Sequence, residues 1–237
     1  MQKKILVVND GFGGSISYHR PFRRFGEATR RSELLFTEPD TIALVLFTGG
    51  SDIHPSLYGQ ESSRLTSCIP RRDIYETMVF EKAKQLGKPM VGVCRGAQLL
   101  CIMAGGKLVQ HIHGHDRWHD CQTAFDQKFM ISSTHHQMML PPYGSRPLAW
   151  ALPRLSRVYI GANEKHILPF PEREYEVVHF PNINAIGMQY HPEIMSEGSE
   201  GFHFAGDIVE KYLLPADEEY KETEAVYCLD EDEGEID

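Results

Sequence analysis

The stretch that most restricts how this chain can fold is residues 89–106, PMVGVCRGAQLLCIMAGG. An apolar run ends on Cys94, and a helix-forming stretch starts at once with Arg95 and closes on Gly105 and Gly106. A short continuous apolar run of this kind reads as a strand buried on both faces, and such strands belong to parallel sheets flanked by helices. Passing from strand to helix with no loop demands a sharp turn, and Gly92 and Gly96 keep side chains out of it. This elbow can hold a nucleophile above a sheet in a strained backbone conformation. A thiolate at a helix N-terminus also feels the positive end of the helix dipole, which favours the ionised, nucleophilic form. The first N–H groups of the helix have no partner within it, so the N–H of Arg95 is a natural donor to an oxyanion. The same residues also suit a buried structural cysteine. Cys101, lying among Leu99, Leu100, Ile102 and Met103, is read as such a core thiol.

The rest of the chain reads in the same style. Residues 3–8 (KILVVN) predict a buried first strand, 17–30 a loop with a short helix, 32–37 (SELLFT) a second strand and 41–48 a third, ended by Gly49-Gly50. Apolar side chains at 74, 75, 78, 79, 83 and 86 have helical spacing, and Gly87 suits a stop. Strand, helix, strand, helix predicts an α/β fold with a mostly parallel central sheet and helices on both faces. Beyond residue 107 the pieces are short: 147–152, 175–180 and 185–190, the last two forming an antiparallel hairpin around Pro181-Asn182. Residues 202–214 read as a closing helix.

Charge divides the chain at about residue 215. Eleven of the 33 acids fall within 216–237 beside the single base Lys221, leaving 22 acids against 23 bases in the body. The reading is therefore one catalytic domain over 1–215 and an acidic tail, 216–237, expected to be disordered. A near-neutral body has no basic face for nucleic acid. No apolar run nears the about 18 residues that span a bilayer. Five cysteines without paired spacing, and no export signal, predict free thiols and a cytoplasmic protein.

A thiol nucleophile needs a base and a group that orients the base. His191-Pro192-Glu193 follows the apolar strand ending Met188-Gln189-Tyr190, and residues two apart on an extended segment share a side. GVCRGAQ at 92–98 followed by MQYHPE at 188–193 resembles the class I glutamine amidotransferases, with their flavodoxin-like sheet. It resembles more narrowly the γ-glutamyl-γ-aminobutyrate hydrolase branch. FTGGSDIHPSLYG (47–59), RRDIYE (71–76), GGKLVQHI (105–112) and THHQ (134–137) carry the same likeness in order. The resemblance implies that Cys94 attacks a γ-glutamyl carbonyl, that His191 moves the proton and that Glu193 orients His191. It implies an oxyanion hole from the N–H groups of Gly50 and Arg95. Gln98, one turn beyond Cys94, and His135, His136 and Gln137 would contact the glutamyl group. Residues 141–175, rich in proline, match nothing in the family pattern.

The expected function is cleavage of a γ-glutamyl amide through a Cys94 thioester. The substrate is glutamine, with ammonia passed to a separate ligase or synthetase chain, or a small γ-glutamyl conjugate. The alternative is a catalytically silent binding or regulatory subunit. No cofactor is expected. His111, His113, His115 and His119, with Asp116, Asp120 and Cys121, invite a metal reading, but their spacing fits no compact zinc motif and supplies no fourth ligand in register. No metal site is expected, and the segment is read as a solvent-facing loop near the active site with local histidine hydrogen bonds.

Overall fold

The fold is built on apolar runs that alternate between two cores. The computed structural model describes residues 2–9 and 16–215; the predicted tail, 216–237, lies outside them. The strands are β1 (Lys4–Val8), β2 (Glu27–Thr29), β3 (Ile42–Phe47), β4 (Met90–Val93), β5 (Lys107–Val109), β6 (His111–Ile112), β7 (His119–Thr123), β8 (Lys128–Ile131), β9 (Met138–Leu140), β10 (Arg146–Ala151), β11 (Tyr159–Ile160), β12 (Tyr175–Phe180) and β13 (Ala185–Met188). The α-helices are α1 (Leu34–Thr37), α2 (Pro70–Gln85), α3 (Arg95–Met103) and α4 (Glu200–Leu213).

Nine strands form one sheet in the order β2-β1-β3-β4-β13-β12-β10-β7-β8. The first five run parallel, and from β13 onward each neighbour is antiparallel. β12 and β13 form the predicted hairpin, closed through Pro181–Ile183 and the left-handed Asn184. Two further antiparallel pairs, β6 with β11 and β5 with β9, lie outside this sheet.

Period-two alternation assigns each strand residue to a face. Leu6 and Val8 of β1, with Val45 and Phe47 of β3, join the core under α2 and α3. Ile5 and Val7, with Leu44, Leu46, Val91 and Val93, join the core under α4, against Phe202, Ile208 and Val209. Helices therefore cover both faces, as the sequence pattern predicts. Each such aliphatic side chain taken from water contributes roughly 1.5–3 kcal/mol before conformational entropy is set against it.

Helix α2 starts on Pro70, has Asp73 in its first turn and Lys82 and Lys84 in its last, and stops before Gly87 at φ 63°. Each of these suits its place on the helix dipole or at the cap. One predicted strand is corrected. Residues 32–33 form a turn that leads into the short helix α1 (Leu34–Thr37), in which Leu34 and Leu35 are both buried. Adjacent leucines turned into one core fit a helical turn, whereas a strand would send them to opposite faces. The place beside β1 is taken by β2, inside the stretch predicted as loop and short helix, after the 3-10 segment Ile16–Phe25.

Candidate active site

β4 and β13 pair in parallel with Val93 opposite Met188, so the residues that follow both strands emerge at the same sheet edge. Crevices at the carboxyl ends of parallel strands are where open α/β sheets bind ligands. Cys94 follows β4, and His191 comes three residues after β13.

Cys94 adopts φ 52° and ψ −109°, a conformation costly for any residue with a Cβ. The turn is fixed from both sides: the Cys94 N–H donates to the Met188 carbonyl at 2.7 Å, and the Gln98 N–H donates to the Cys94 carbonyl at 3.1 Å. A Cβ on Gly92 would run into the backbone of Gly96, and one on Gly96 would run into the carbonyl of Phe47. The two glycines are thus required by the close approach of α3 to β3 and β4. The Cys94 side chain is nearly buried and lines a cleft with Gly50, Asp52 and Gln98.

His191 Nδ1 lies 2.7 Å from Glu193 Oε1. The segment is not extended as predicted: Pro192–Ile194 forms a 3-10 turn, which brings the carboxylate back onto the ring. Ser132 Oγ donates to the His191 carbonyl at 2.7 Å, and Arg20 Nη1 donates to the Glu193 carbonyl at 2.7 Å. Burial by itself pushes the His191 imidazole down, but pairing with Cys94 and with Glu193 outweighs it, and the ring is pushed up to about 10. Nε2, the nitrogen not held by Glu193, is buried without a hydrogen-bond partner among the described residues. A side chain at Gly49 would meet His191 Cε1 at 3.2 Å and Cys94 Cβ at 3.4 Å, so ring and thiol flank one spot.

The Gly49–Gly50 turn is held by Arg72. Its Nη2 donates to the Gly49 carbonyl at 2.9 Å and to the Thr48 carbonyl at 3.0 Å, and its Nε donates to Glu76 Oε1 at 2.7 Å. Arg95, fully buried, completes the network by pairing with Glu76 and Asp73. Burial pushes the Glu76 carboxyl up while the two arginines pull it down. Gly50, at φ 138°, has no room for a side chain because the Arg72 guanidinium packs against it.

On the opposite wall are His135, His136 and Gln137. His136 Nε2 lies 3.1 Å from Asp52 Oδ1, and His135 Nδ1 lies 2.8 Å from the Gln137 carbonyl. The Gln137 side-chain amide is buried with neither end bonded among the described residues. Gln98 Nε2 reaches the Gln137 carbonyl at 3.4 Å and Gln189 Oε1 at 3.3 Å.

Tyr18, Arg72 and Asp52 were not singled out as site residues by the sequence reading. Arg72 and Asp52 lie in two of the stretches that carried the family likeness, 71–76 and 47–59. Tyr18 left no signal: it comes from the segment read as polar loop, with its ring centroid 6.4 Å from that of His191. Burial, with Glu193 and Cys94 adding to it, pushes the Tyr18 phenol up.

The histidine segment is corrected. His115 and His119 are buried, not solvent-facing, and their ligand atoms lie within 4.8 Å of one another and of a carboxylate oxygen of Glu176. His111 approaches His136 instead, with their Nδ1 atoms 3.3 Å apart. Burial pushes the Glu176 carboxyl up, but the surrounding histidines hold it well below the usual range.

A sheet of this topology with a cysteine elbow and a His–Glu pair at one edge has the architecture of a class I amidotransferase-like protein. The chain belongs to the Peptidase C26 family, whose profile matches residues 31–149. It is 31% identical over 162 residues to the candidate glutamine amidotransferase-like protein YvdE of Lactococcus lactis subsp. lactis, covering 57% of this chain and 68% of that one. Another curated relative is matched over only 24% of its length. A glutamine amidotransferase from Thermotoga maritima superposes with TM-score 0.56 at 14% identity, covering 90% of this chain and 89% of that one. A candidate GMP synthase subunit from Thermoplasma acidophilum superposes with TM-score 0.54 at 14% identity, over 88% and 93%. At such identities the two structures show the shared fold. No helix among the described residues is long and apolar enough to cross a membrane.

Proposed function

We propose that the chain is a cysteine amidohydrolase that cleaves a γ-glutamyl amide, with Cys94 as nucleophile, His191 as base and Glu193 as its orienting carboxylate. The observation that carries this reading is the strained Cys94 turn beside a histidine whose Nδ1 is bonded to Glu193. Cys94 Sγ adds to the γ-carbonyl, and the developing oxyanion is held by the N–H groups of Gly50 and Arg95. The protonated His191 gives its proton to the departing nitrogen, the C–N bond breaks, and a glutamyl thioester remains. Water, deprotonated by His191, then releases glutamate and restores the thiol. Arg72 supports the preassembly of the hole. In a trans peptide C=O and N–H point opposite ways, so a Gly49 carbonyl fixed on Arg72 sets the direction of the Gly50 N–H. Gln98 and the unpaired Gln137 amide are suited to the polar end of the glutamyl group, with His135 and His136 beside them.

The domain reading is of one catalytic unit over 1–215. The nitrogen acceptor, if there is one, is a separate chain, in keeping with the naming of the Thermoplasma acidophilum neighbour as one subunit of a synthase. The test is to incubate the pure protein with glutamine and with γ-glutamyl amines and to measure glutamate and ammonia, with Cys94→Ser as control. Fast release from conjugates selects the conjugate hydrolase. Weak glutamine turnover that rises with a copurifying ligase selects the ammonia donor. No turnover of either, with or without a partner, overturns the enzyme reading in favour of a silent subunit.

A further inference from the structure

We propose that His115, His119, His135 and Glu176 form a buried binding site for one divalent transition-metal ion, zinc foremost, which clamps the cleft wall at 132–137 to β12. The four residues come from separate parts of the chain: His115 from the turn after β6, His119 from the start of β7, His135 from the cleft wall and Glu176 from β12. Spacing along the chain could not announce such a site.

The inner atoms converge. Around Glu176 Oε1 lie His115 Nδ1 at 3.1 Å, His119 Nε2 at 3.1 Å and His135 Nε2 at 3.6 Å. Ligands held at 2.0–2.1 Å around a tetrahedral ion sit about 3.3 Å from one another, and the three separations from Glu176 Oε1 bracket that value. The ligand atoms of His115, His119 and Glu176 also lie within 4.8 Å of one another, and His135 joins them from the Glu176 side. All four residues are at least nine-tenths buried.

The outer atoms are anchored as metal-binding histidines require. His115 Nε2 is bound by Glu174 Oε2 at 3.0 Å, His119 Nδ1 lies 3.3 Å from the Arg117 carbonyl, and His135 Nδ1 lies 2.8 Å from the Gln137 carbonyl. Glu174 is itself fixed by the N–H groups of Leu155 and Ser156 and the Tyr159 hydroxyl, each at 2.7 Å. A carboxylate or carbonyl on the far nitrogen of each ring selects the tautomer that leaves the near nitrogen bare for a metal.

A hydrogen-bond network alone leaves the cluster incomplete. Only His119 Nε2 makes a well-aligned bond to Glu176. His115 Nδ1, His135 Nε2 and Glu176 Oε2 are buried with no hydrogen-bond partner among the described residues. Two bare ring nitrogens facing one carboxylate, whose second oxygen is also unpaired, are costly to bury unless something occupies the site. A dication satisfies them and balances the two buried carboxylates of Glu174 and Glu176. Imidazole and carboxylate donors in a closed site favour zinc over the harder magnesium or calcium.

The test is made on the full chain, purified without chelator and without a histidine tag. Elemental analysis is expected to find about one zinc per chain, either as isolated or after incubation with zinc and desalting. X-ray absorption is expected to show several imidazole ligands at about 2.0–2.1 Å. Stripping with a strong chelator is expected to lower Tm by roughly 5 °C or more, and zinc to restore it. His119→Ala and Glu176→Gln are expected to lose the metal, while His113→Ala, outside the cluster, keeps it. A chain that holds no stoichiometric metal under either condition overturns the proposal. So does a metal retained by both His119→Ala and Glu176→Gln, which would place it on other histidines. Should those variants fail to fold, an absorption spectrum of the parent chain without imidazole scattering overturns it as well. None of these readouts depends on the proposed amidohydrolase activity.

Discussion

At Cys94 a single residue carries both the strain and the proposed chemistry. A positive φ is tolerated there because the Met188 carbonyl and the start of α3 fix the turn. Cys94→Ser keeps the shape but replaces the thiol by a hydroxyl that the same base activates poorly, so turnover falls by about 10³-fold or more with the fold intact. Activity within tenfold of the parent in a glutamate-release assay would remove Cys94 from its assigned role. His191 gives a second handle. Its raised value depends on Cys94 as well as Glu193. In Cys94→Ala the ring should therefore titrate below the about 10 of the parent, as read by NMR of the imidazole protons. The sign for stability follows. A histidine raised above 6.5 by folding contributes stability fully present below that value and lost as pH rises through about 10. Glu193→Gln should cost less activity than His191→Ala, because Glu193 orients the ring and transfers no proton. Equal and complete loss in two folded variants would mean the roles are misassigned.

At the level of elements, α2 packs on the core through Val79, Phe80 and Ala83 and reaches the cleft through charge. Arg72 bonds the Thr48 and Gly49 carbonyls and Glu76 together, a set that only a planar, forked cation can reach at once. Arg72→Lys keeps the charge and loses that fork. The expected result is a kcat lower by about 10²-fold with KM nearly unchanged, since the Gly50 N–H acts on the transition state. A rise in KM alone would place Arg72 in substrate binding instead. Arg72→Met should also destabilise by about 3 kcal/mol in urea unfolding, because it leaves part of Glu76 unpaired in the interior. Much of this scaffold was legible in the sequence. Buried runs such as residues 42–47 announce strands, and Gly92, Cys94 and Gly96 announce the elbow. The role of Arg72 was not legible. A charged residue in the first turn of an amphipathic helix looks solvated until the facing Gly49–Gly50 turn is in place. Residues 32–37 misled for a related reason, since a short apolar run has no period long enough to separate strand from helix.

Taken as a whole, the molecule distributes its thiols very unequally, and that inequality tests the site without any substrate. Cys101, on α3, is fully buried in the core, and Cys121 is buried in the core on the α4 side of the sheet. Burial pushes both thiols up, which leaves them protonated and shielded. Cys68 is half-buried beside the Asp52 bridge, and burial followed by Asp73 pushes its thiol up too. Cys94 differs from all three because it opens into the cleft, at the N-terminus of α3 and beside His191. The sequence already separates Cys94, between Gly92 and Gly96, from Cys101 among Leu99, Leu100 and Ile102, and the folded topology adds the cleft and His191 beside Cys94. Iodoacetamide at neutral pH should therefore modify Cys94 first, at least about tenfold faster than Cys68 and well before Cys101 or Cys121. Cys228 lies outside the described residues, so the experiment uses a Cys228→Ser background and reads the sites by peptide mass spectrometry. His191→Ala should slow the labelling of Cys94 selectively, because it removes the base beside the thiol. If Cys68 or Cys101 is labelled first in the folded parent, the cleft is not where the reactive thiol resides. If Cys94 leads but His191→Ala leaves its rate unchanged, the elbow alone activates the thiol, and the His191–Glu193 pair must act later, on the leaving nitrogen or on water.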